Sequence, residues 1–397
     1  MLLTQFVNEH IDDDPVTLLL QKGKYPDVDI EQAVRQIEGK RQAATKWPSL
    51  VCCDNFLFPP RLNREQASSE ATANFKREIV KDVYRTVAGS PLRIADLTGG
   101  MGIDSIALAR IEGSTVDYVE RNEELCRLTE HNVAALGMEN IRCHCKDCMQ
   151  WLEEQKEHYD ILFVDPARRD SHGRKVAAFE DCTPNILENM PLLRSHCHKL
   201  LVKASPMTDI DKALMQLRDV SDIFIVAVKG ECKELLFLCG ENQQEPLLHS
   251  RDLPEGQGMD FLRSEEKRSE AVFCKEVGRY LYEPNAALMK AGPYKMICHA
   301  WNVKKLSQNT HLYTSDSHIE HFPGRTLEVL QEVSLNRKAV AAAIPEGKAH
   351  VATRNYPTAA AELQKQLGLS EGGELYVIAT TTGSKKTGYI CRQPKNY

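Results

Sequence analysis

The residues of this 397-residue chain that are best placed for chemistry begin with Asp96. This carboxylate ends the apolar run 92–96 and is followed by Gly99, Gly100 and Gly102. The order predicts a strand, a tight turn and a helix, and the glycines let a ligand approach the backbone closely. A carboxylate in front of the glycines would repel a pyrophosphate, but it suits a cation or an amino group. The stretch therefore predicts a pocket of the nucleotide-binding type.

Three more carboxylates follow apolar runs in the same way. Glu120 ends the next run, roughly 20 residues beyond the glycines, where an acid accepts hydrogen bonds from ribose hydroxyls. Asp147 follows the run 140–145, and Asp165 follows the run 159–164. A single acid at a strand end often caps the next helix. Four acids in register predict one shared pocket.

The stretch from Asp96 to Gly102 resembles the first motif of class I S-adenosylmethionine-dependent methyltransferases, D-x-G-x-G-x-G, with Thr98 in place of the first glycine. The resemblance implies an α/β fold with a Rossmann-like sheet of seven strands. It also implies S-adenosylmethionine as the cofactor, whose sulfonium and ammonium would suit the carboxylate. The cofactor-binding residues that it implies are Asp96, Thr98, Gly100, Gly102, Glu120 and Asp147.

The fourth motif of this family faces the methyl-accepting group, which makes Asp165, Pro166 and Arg168 the expected catalytic residues. Relatives that methylate a base amine have an acid or amide, two prolines and an aromatic ring, whereas here Ala167 and two arginines follow Pro166. Either arginine could stack on a base or grip a phosphate, and Phe179 could supply the ring. The alternative is a structural ion-pair network of Arg168 and Arg169 with Asp170, Glu180 or Asp181.

Composition changes along the chain predict four segments. Residues 1–60 read as an N-terminal helical cap, and 61–245 read as the methyltransferase domain, in which strands alternate with helices and the last two strands form a hairpin. The polar, Pro- and Gly-containing stretch 246–278 predicts a linker. Residues 279–397 predict a second, α+β domain, which opens with a turn and a helix over 280–292. Within 63–87 an amphipathic helix either folds over the methionine end of the cofactor or is a surface helix capped by Ser68 or Ser69.

The C-terminal segment is similar to the THUMP-like domain that is attached to a group of bacterial proteins assigned as methyltransferases. The resemblance lies in Tyr282–Asn285, Lys290–Gly292 and Tyr376–Thr380. It implies an RNA substrate, and we expect a base nitrogen of ribosomal or transfer RNA. The alternatives are a small-metabolite methyltransferase with the tail as lid or dimerisation module, and a non-catalytic module that binds S-adenosylmethionine or RNA.

Charge, cysteine content and the lengths of the apolar runs limit the partners, the location and the metal binding that we expect for this protein. The net charge of −6 argues weakly against nucleic acid, but the part from Arg325 onward has ten basic and six acidic residues. That excess fits an RNA-facing surface or simply a solvated one. The 13 scattered cysteines indicate reduced thiols, and no apolar run is long enough for a membrane span, so we expect a cytoplasmic protein without a membrane partner. The group Cys143, Cys145 and Cys148 lacks a second C-x-x-C, and we expect no metal.

Overall fold

The structure, a computed structural model, describes residues 3–85, 91–156, 158–167, 179–241, 244–383 and 385–394. Arg168, Arg169 and Asp170, for which the sequence suggests contacts to RNA or to one another, lie outside the described residues. The chain divides into two compact units. One is Met1–Ser221 with Glu234–Gln244, and the other is Asp222–Lys233 with Glu245–Tyr397.

The first unit begins with helices, as expected for the N-terminal region. They are α1 Leu3–Glu9, α2 Pro15–Leu20, α3 Ile30–Lys46, α4 Arg61–Gln66 and α5 Glu70–Arg85. Asp29 caps α3 by accepting a hydrogen bond from Gln32 N at 3.0 Å. Apolar side chains of α1 to α3 form a small core that includes the buried Phe6 and Ile37. The N-terminal segment therefore has a hydrophobic core of its own.

Helices and strands then alternate through the first unit. They are β1 Leu92–Asp96, α6 Ile103–Leu108, β2 Ser114–Glu120, α7 Glu123–Ala135, β3 Ile141–Cys145, α8 Cys148–Glu153, β4 Tyr159–Val164, α9 Ile186–Ser195, β5 Cys197–Ala204, α10 Ile210–Gln216 and β7 Glu231–Cys239. Between α10 and β7 the chain forms β6 Val220–Val228, most of which belongs to the second unit. In this unit the strand order is β3-β2-β1-β4-β5-β7. Pairing is parallel from β3 to β5, and β7 runs antiparallel to β5. The carboxyl ends of β1 to β4 thus meet at one edge.

The expected hairpin leads from β6 into β7. Its turn is formed by Lys229 and Gly230, both with positive φ (52° and 77°), the conformation that two-residue hairpins favour. The sixth and seventh strands of the expected sheet are therefore joined as the sequence predicts.

The segment 246–278 is not the linker that the sequence suggests. It contains β8 Leu247–Leu253, β9 Asp260–Leu262 and α11 Arg263–Arg268. β8 pairs in parallel with β6, and β9 pairs antiparallel with β8. Pro246 and Pro254 flank β8 rather than interrupt it, which is why they do not break the strand. β8 and β9 come in addition to the seven strands expected.

The second unit contains a further sheet of seven strands. Its elements are β10 Tyr280–Pro284, α12 Ala286–Ala291, α13 Met296–Ala300, β11 Lys304–Ser307, β12 Thr310–Ser315, β13 Gly324–Val333, α14 Arg337–Ala343, β14 His350–Arg354, α15 Ala360–Leu367, β15 Leu375–Thr382 and β16 Lys385–Arg392. The strand order is β11-β12-β10-β13-β16-β15-β14. One core contains the buried Tyr282 and Tyr313, and another contains Val340 and Val377.

The start of this second sheet differs from the sequence interpretation. The sequence suggests a turn at Tyr280, but Tyr280–Pro284 is the strand β10, because Leu281 and Tyr282 are buried between neighbouring strands. The predicted helix follows it as α12, which Asn285 caps and which Gly292 ends in a left-handed conformation. Among the helices of the described ranges, none is long and apolar enough to cross a membrane.

Candidate functional site

The turn after β1 is held between two neighbouring strands. Leu97 N donates a hydrogen bond to Phe163 O of β4 at 2.9 Å, and Gly99 N donates to Val119 O of β2 at 3.0 Å. A Cβ added to Gly99 would lie 2.1 Å from the Tyr118 ring. Only glycine fits at this position, because the backbone passes so close to the ring.

Gly102 and Gly100 have different surroundings. Gly102 has a φ of 78°, and an added Cβ would lie 2.7 Å from Thr129 Cγ2, so both conformation and space require glycine. Gly100 has a φ of 53°, and an added Cβ would come no closer than 3.8 Å to Thr98 O. The backbone at Gly100 is therefore open on the side where a ligand could approach it.

Asp96 lies inside the turn. Its side chain accepts hydrogen bonds from Ser105 Oγ at 2.6 Å and from Thr98 N at 3.2 Å, and the residue is 1% exposed. Burial raises the pKa of Asp96 to about 7, although the hydrogen bond from Ser105 opposes this rise. The sequence suggests that this carboxylate meets a cation or an amino group directly, whereas its hydrogen bonds here hold the turn.

Glu120 lies beside the turn, at the end of β2. One carboxylate oxygen accepts a hydrogen bond from Gly100 N at 3.0 Å, and the other accepts from Asn122 N at 2.8 Å. The side chain of Tyr118, two residues earlier, donates to Gly100 O at 2.7 Å. The structure thus brings Glu120 and Gly100 together, which is the juxtaposition that the sequence predicts.

Asp147 lies at the adjacent strand end and caps a helix. Its carboxylate accepts hydrogen bonds from Met149 N at 3.0 Å and Gln150 N at 3.2 Å, at the start of α8. Lys146 N donates to Glu120 O at 3.1 Å, which places Asp147 next to the end of β2. Helix capping, the alternative for any single acid at a strand end, is the contact observed for Asp147.

Thr98 connects the turn to the end of β4. Its hydroxyl oxygen accepts a hydrogen bond from Asp165 N at 2.7 Å. The threonine that replaces the first glycine of the motif therefore joins the β1 turn to Asp165. This contact brings the expected cofactor residues and the expected acceptor residue to one edge of the sheet.

A small pocket, partly open to solvent, adjoins Asp165. We call it the β4–β5 pocket; it is lined by Asp165, Pro166, Phe179, Cys182, Lys203, Ala204, Ser205 and Thr208. The Phe179 ring is 3% exposed and meets Phe237 edge-on, with ring centroids 6.1 Å apart. This packing leaves the Phe179 ring little surface for stacking on a base. Near it, Gln216 Nε2 donates a hydrogen bond to Glu180, one of the acids considered for the arginine network.

Known proteins share this architecture. A crystal structure from Porphyromonas gingivalis W83, described as a putative methyltransferase, matches with a TM-score of 0.84 and 28% identity, over 99% of this chain and 98% of that chain. Residues 280–323 match the model of a ferredoxin-like domain, and residues 324–393 match the model of a THUMP domain-like family. The chain has a class I methyltransferase fold with a THUMP-like C-terminal region.

A shorter similarity is with the protein-L-isoaspartate O-methyltransferase of Thermotoga maritima, at 31% identity over 75 residues. The match covers 18% of this chain and 23% of that protein, so it spans about a quarter of the relative's length. It adds a second methyltransferase to the proteins that this chain resembles.

Sequence reasoning missed a buried network in this methyltransferase fold. We call it the lysine–carboxylate network, and it consists of Lys76, Asp104, Asp165, Lys203 and Glu234. Lys203 Nζ lies 2.5 Å from an Asp165 oxygen and 3.8 Å from Glu234. Lys76 Nζ lies 2.9 Å from Glu234 and 3.1 Å from Asp104. The network therefore runs without interruption from α5 to the β4–β5 pocket.

Opposite charges in the lysine–carboxylate network stabilise one another. Burial by itself lowers the pKa of Lys203, but Asp165 and Glu234 raise it above its usual value. Burial likewise raises the pKa of Asp104, but Lys76 and Lys203 bring it below its usual value. Both groups are thus charged at neutral pH. Ser68, which the sequence offers as a helix cap, instead donates to Asp104 at 2.7 Å, and Ser69 caps α5 through Thr72 N.

Proposed function

We propose that this protein is an S-adenosylmethionine-dependent methyltransferase that acts on RNA. The observation that carries the proposal is the hydrogen bond between Gly100 N and Glu120, next to an Asp165 that Thr98 connects to the same turn. A methyltransferase needs a cofactor pocket beside an acceptor pocket, and these residues lie at the carboxyl edge where ligands bind in such sheets.

The residues of the turn fit the proposed cofactor. The open face of Gly100 lets a ligand approach the backbone, and the Glu120 carboxylate is an acceptor suited to ribose hydroxyls. We assign Asp147 to the adenine end of the cofactor, and Asp96, Thr98 and Gly102 to the shape of the turn. When bound, S-adenosylmethionine supplies an electrophilic methyl group on its sulfonium.

The protein's own part in the reaction is positioning and exclusion of water. Methyl transfer needs the acceptor atom held in line with the methyl group, and a partly closed pocket meets that need. We place the acceptor in the β4–β5 pocket, where Asp165 accepts a hydrogen bond from it and Pro166 shapes the wall. Arg168 is proposed to contact the RNA.

The proposed RNA substrate is supported by the THUMP domain-like match at 324–393. The sequence predicts ribosomal or transfer RNA and a base nitrogen as the acceptor. If the C-terminal region binds RNA, changing its exposed lysines Lys338 and Lys365 to alanine should weaken RNA binding and reduce its salt dependence. An electrophoretic shift series over several salt concentrations would measure both effects. Unchanged affinity and slope would assign these lysines to a solvated surface.

The activity is tested with methyl-labelled S-adenosylmethionine and two acceptor pools, total RNA from a deletion strain and a small-molecule extract. We expect label in RNA, and we expect Asp165→Ala to reduce transfer by about a hundredfold or more while cofactor affinity stays unchanged. The matched control is Asp12→Ala, an exposed carboxylate in the turn between α1 and α2, which should be silent. Label in the extract alone would favour a small-metabolite methyltransferase.

A further inference from the structure

The β4–β5 pocket contains a cation next to its carboxylate. Lys203 Nζ donates to Asp165 at 2.5 Å, and both residues line the pocket. An ammonium has three N–H donors, and among the described residues the carboxylates next to Lys203 are Asp165 and the more distant Glu234. A donor therefore remains for a group bound in the pocket.

This cation discriminates between kinds of acceptor. An amine nitrogen becomes more positive as it takes the methyl group, so a fixed ammonium beside it opposes the reaction. A hydroxyl oxygen becomes more negative as its proton leaves, so the same ammonium stabilises it. The hydroxyl also needs a proton acceptor within hydrogen-bond reach, and Asp165 lies next to the cation. A lysine beside an aspartate thus suits a hydroxyl better than an amine.

The packing of the aromatic ring in the pocket lining also favours a hydroxyl acceptor over a base. Phe179, the ring that the sequence offers for stacking on a base, packs edge-on against Phe237 and is 3% exposed. The pocket is therefore better equipped for a small polar acceptor group than for a flat base.

We propose that the acceptor is a hydroxyl oxygen, and that in RNA it is the ribose 2′-hydroxyl. This inference rests on the proposed function and replaces the base nitrogen with an oxygen. The 2′-hydroxyl is the hydroxyl that every internal RNA nucleotide carries.

The chemical step balances with the groups present. The hydroxyl oxygen forms a bond to the methyl carbon as the methyl–sulfur bond breaks, and the electron pair of that bond stays on sulfur. The hydroxyl proton passes to Asp165, whose side chain is 32% exposed and can release it to water. Lys203 keeps its proton and stabilises the negative charge that develops on the hydroxyl oxygen.

Lys76 and Glu234 are positioning residues in this arrangement. Lys76 is fully buried and is not among the described residues that line the pocket, but it pairs with Glu234, which lies 3.8 Å from Lys203. Glu234 thus keeps a negative charge beside Lys203, and Lys76 in turn prevents Glu234 from being an unpaired buried charge.

The product distinguishes oxygen from nitrogen directly. The full-length protein is incubated with methyl-labelled S-adenosylmethionine and total RNA from a deletion strain, and the RNA is digested to nucleosides and analysed by mass spectrometry. We expect 2′-O-methylnucleosides, and alkali-resistant dinucleotides after alkaline hydrolysis. Base-methylated nucleosides would overturn the inference and leave the proposed function in place. Absence of label from RNA would overturn both.

Variants of Lys203 test the role of the cation. Lys203→Met should lower single-turnover transfer at least a hundredfold, with the affinity for S-adenosylmethionine, measured by calorimetry, within twofold of the unchanged protein. Lys203→Arg should recover part of the rate because it restores the charge. The matched control is Lys199→Met on the same strand, which should transfer normally. Full transfer by Lys203→Met would overturn the role of the cation. If that variant does not fold, the nucleoside analysis of the unchanged protein still decides the acceptor atom.

Discussion

Replacing Glu120 with alanine should weaken the binding of S-adenosylmethionine. Its carboxylate accepts hydrogen bonds from Gly100 N at 3.0 Å and Asn122 N at 2.8 Å, so it orders the turn, and we propose that its remaining lone pairs accept from the ribose hydroxyls. A lost charged hydrogen bond costs about 1.5–3 kcal/mol, which corresponds to a roughly 10- to 150-fold higher dissociation constant. The two backbone N–H groups can turn to water, so the loss of folding stability should be small by comparison.

Isothermal titration calorimetry measures this change, with Glu123→Ala as the matched control because Glu123 is an exposed acid three residues further along. Thermal unfolding of both variants shows whether the turn is still formed. If Glu120→Ala binds S-adenosylmethionine as well as the unchanged protein does, Glu120 is not the ribose acceptor. If NADH binds tightly instead, the whole cofactor assignment is refuted.

Three further changes test other parts of the site. Gly102→Ala should destabilise the protein by about 1–3 kcal/mol, because the φ of Gly102 is 78° and an added Cβ would lie 2.7 Å from Thr129. Gly100→Ala, where space is open, should cost less stability but weaken cofactor binding. Equal melting temperatures of the two variants would contradict this difference. The pKa of Asp96 in the folded protein is raised from 3.8 to about 7, so the contribution of Asp96 to the free energy of unfolding should be lost as the pH rises from about 4 to about 7. Asp96→Asn should remove this pH dependence from the unfolding free energies measured by denaturation. An unchanged pH dependence would refute the raised pKa. Lys76→Met should lower the free energy of unfolding by about 3–5 kcal/mol, because Glu234 and Asp104 lose their buried partner. Adding Glu234→Gln should recover part of that loss in urea unfolding. Strictly additive losses would show that Lys76 and Glu234 are not coupled.

The elements around the turn could be predicted because their signals are local. The apolar run before Asp96 and the glycines after it are contiguous, and φ values of 53° and 78° at Gly100 and Gly102 are what such a turn requires. The strand ends at Glu120 and Asp147 follow from the same alternation of apolar runs and helices. The order of these elements predicts a doubly wound α/β fold, and the resemblance to class I methyltransferases implies the sheet of seven strands.

The lysine–carboxylate network could not be predicted in this way. Lys76 and Glu234 are 158 positions apart, and nothing near either residue shows that it will be buried. Lysine and glutamate are usually exposed, so a local interpretation places both on the surface. Only the packing of α5 against the sheet brings the two side chains together.

The strands β8 and β10 were missed for a related reason. Pro246 and Pro254 suggest breaks in the chain, but they lie directly outside the two ends of β8, and Pro284 is the last residue of β10. At such boundaries the missing N–H group costs little. Whether such a segment forms a strand depends on the strand with which it pairs. β8 pairs with β6, whose residues lie 25 positions earlier in the chain (Asp222 pairs with Leu247).

The most direct test of the central claim is transfer of labelled methyl from S-adenosylmethionine to RNA by the purified full-length protein. Total RNA from a deletion strain is the acceptor. RNA from the parent strain, whose target positions we expect to be already methylated, is the control. We expect label in the RNA of the deletion strain, little label in the RNA of the parent strain, and loss of transfer with Asp165→Ala. No label in either RNA, from a protein that binds S-adenosylmethionine, would contradict it.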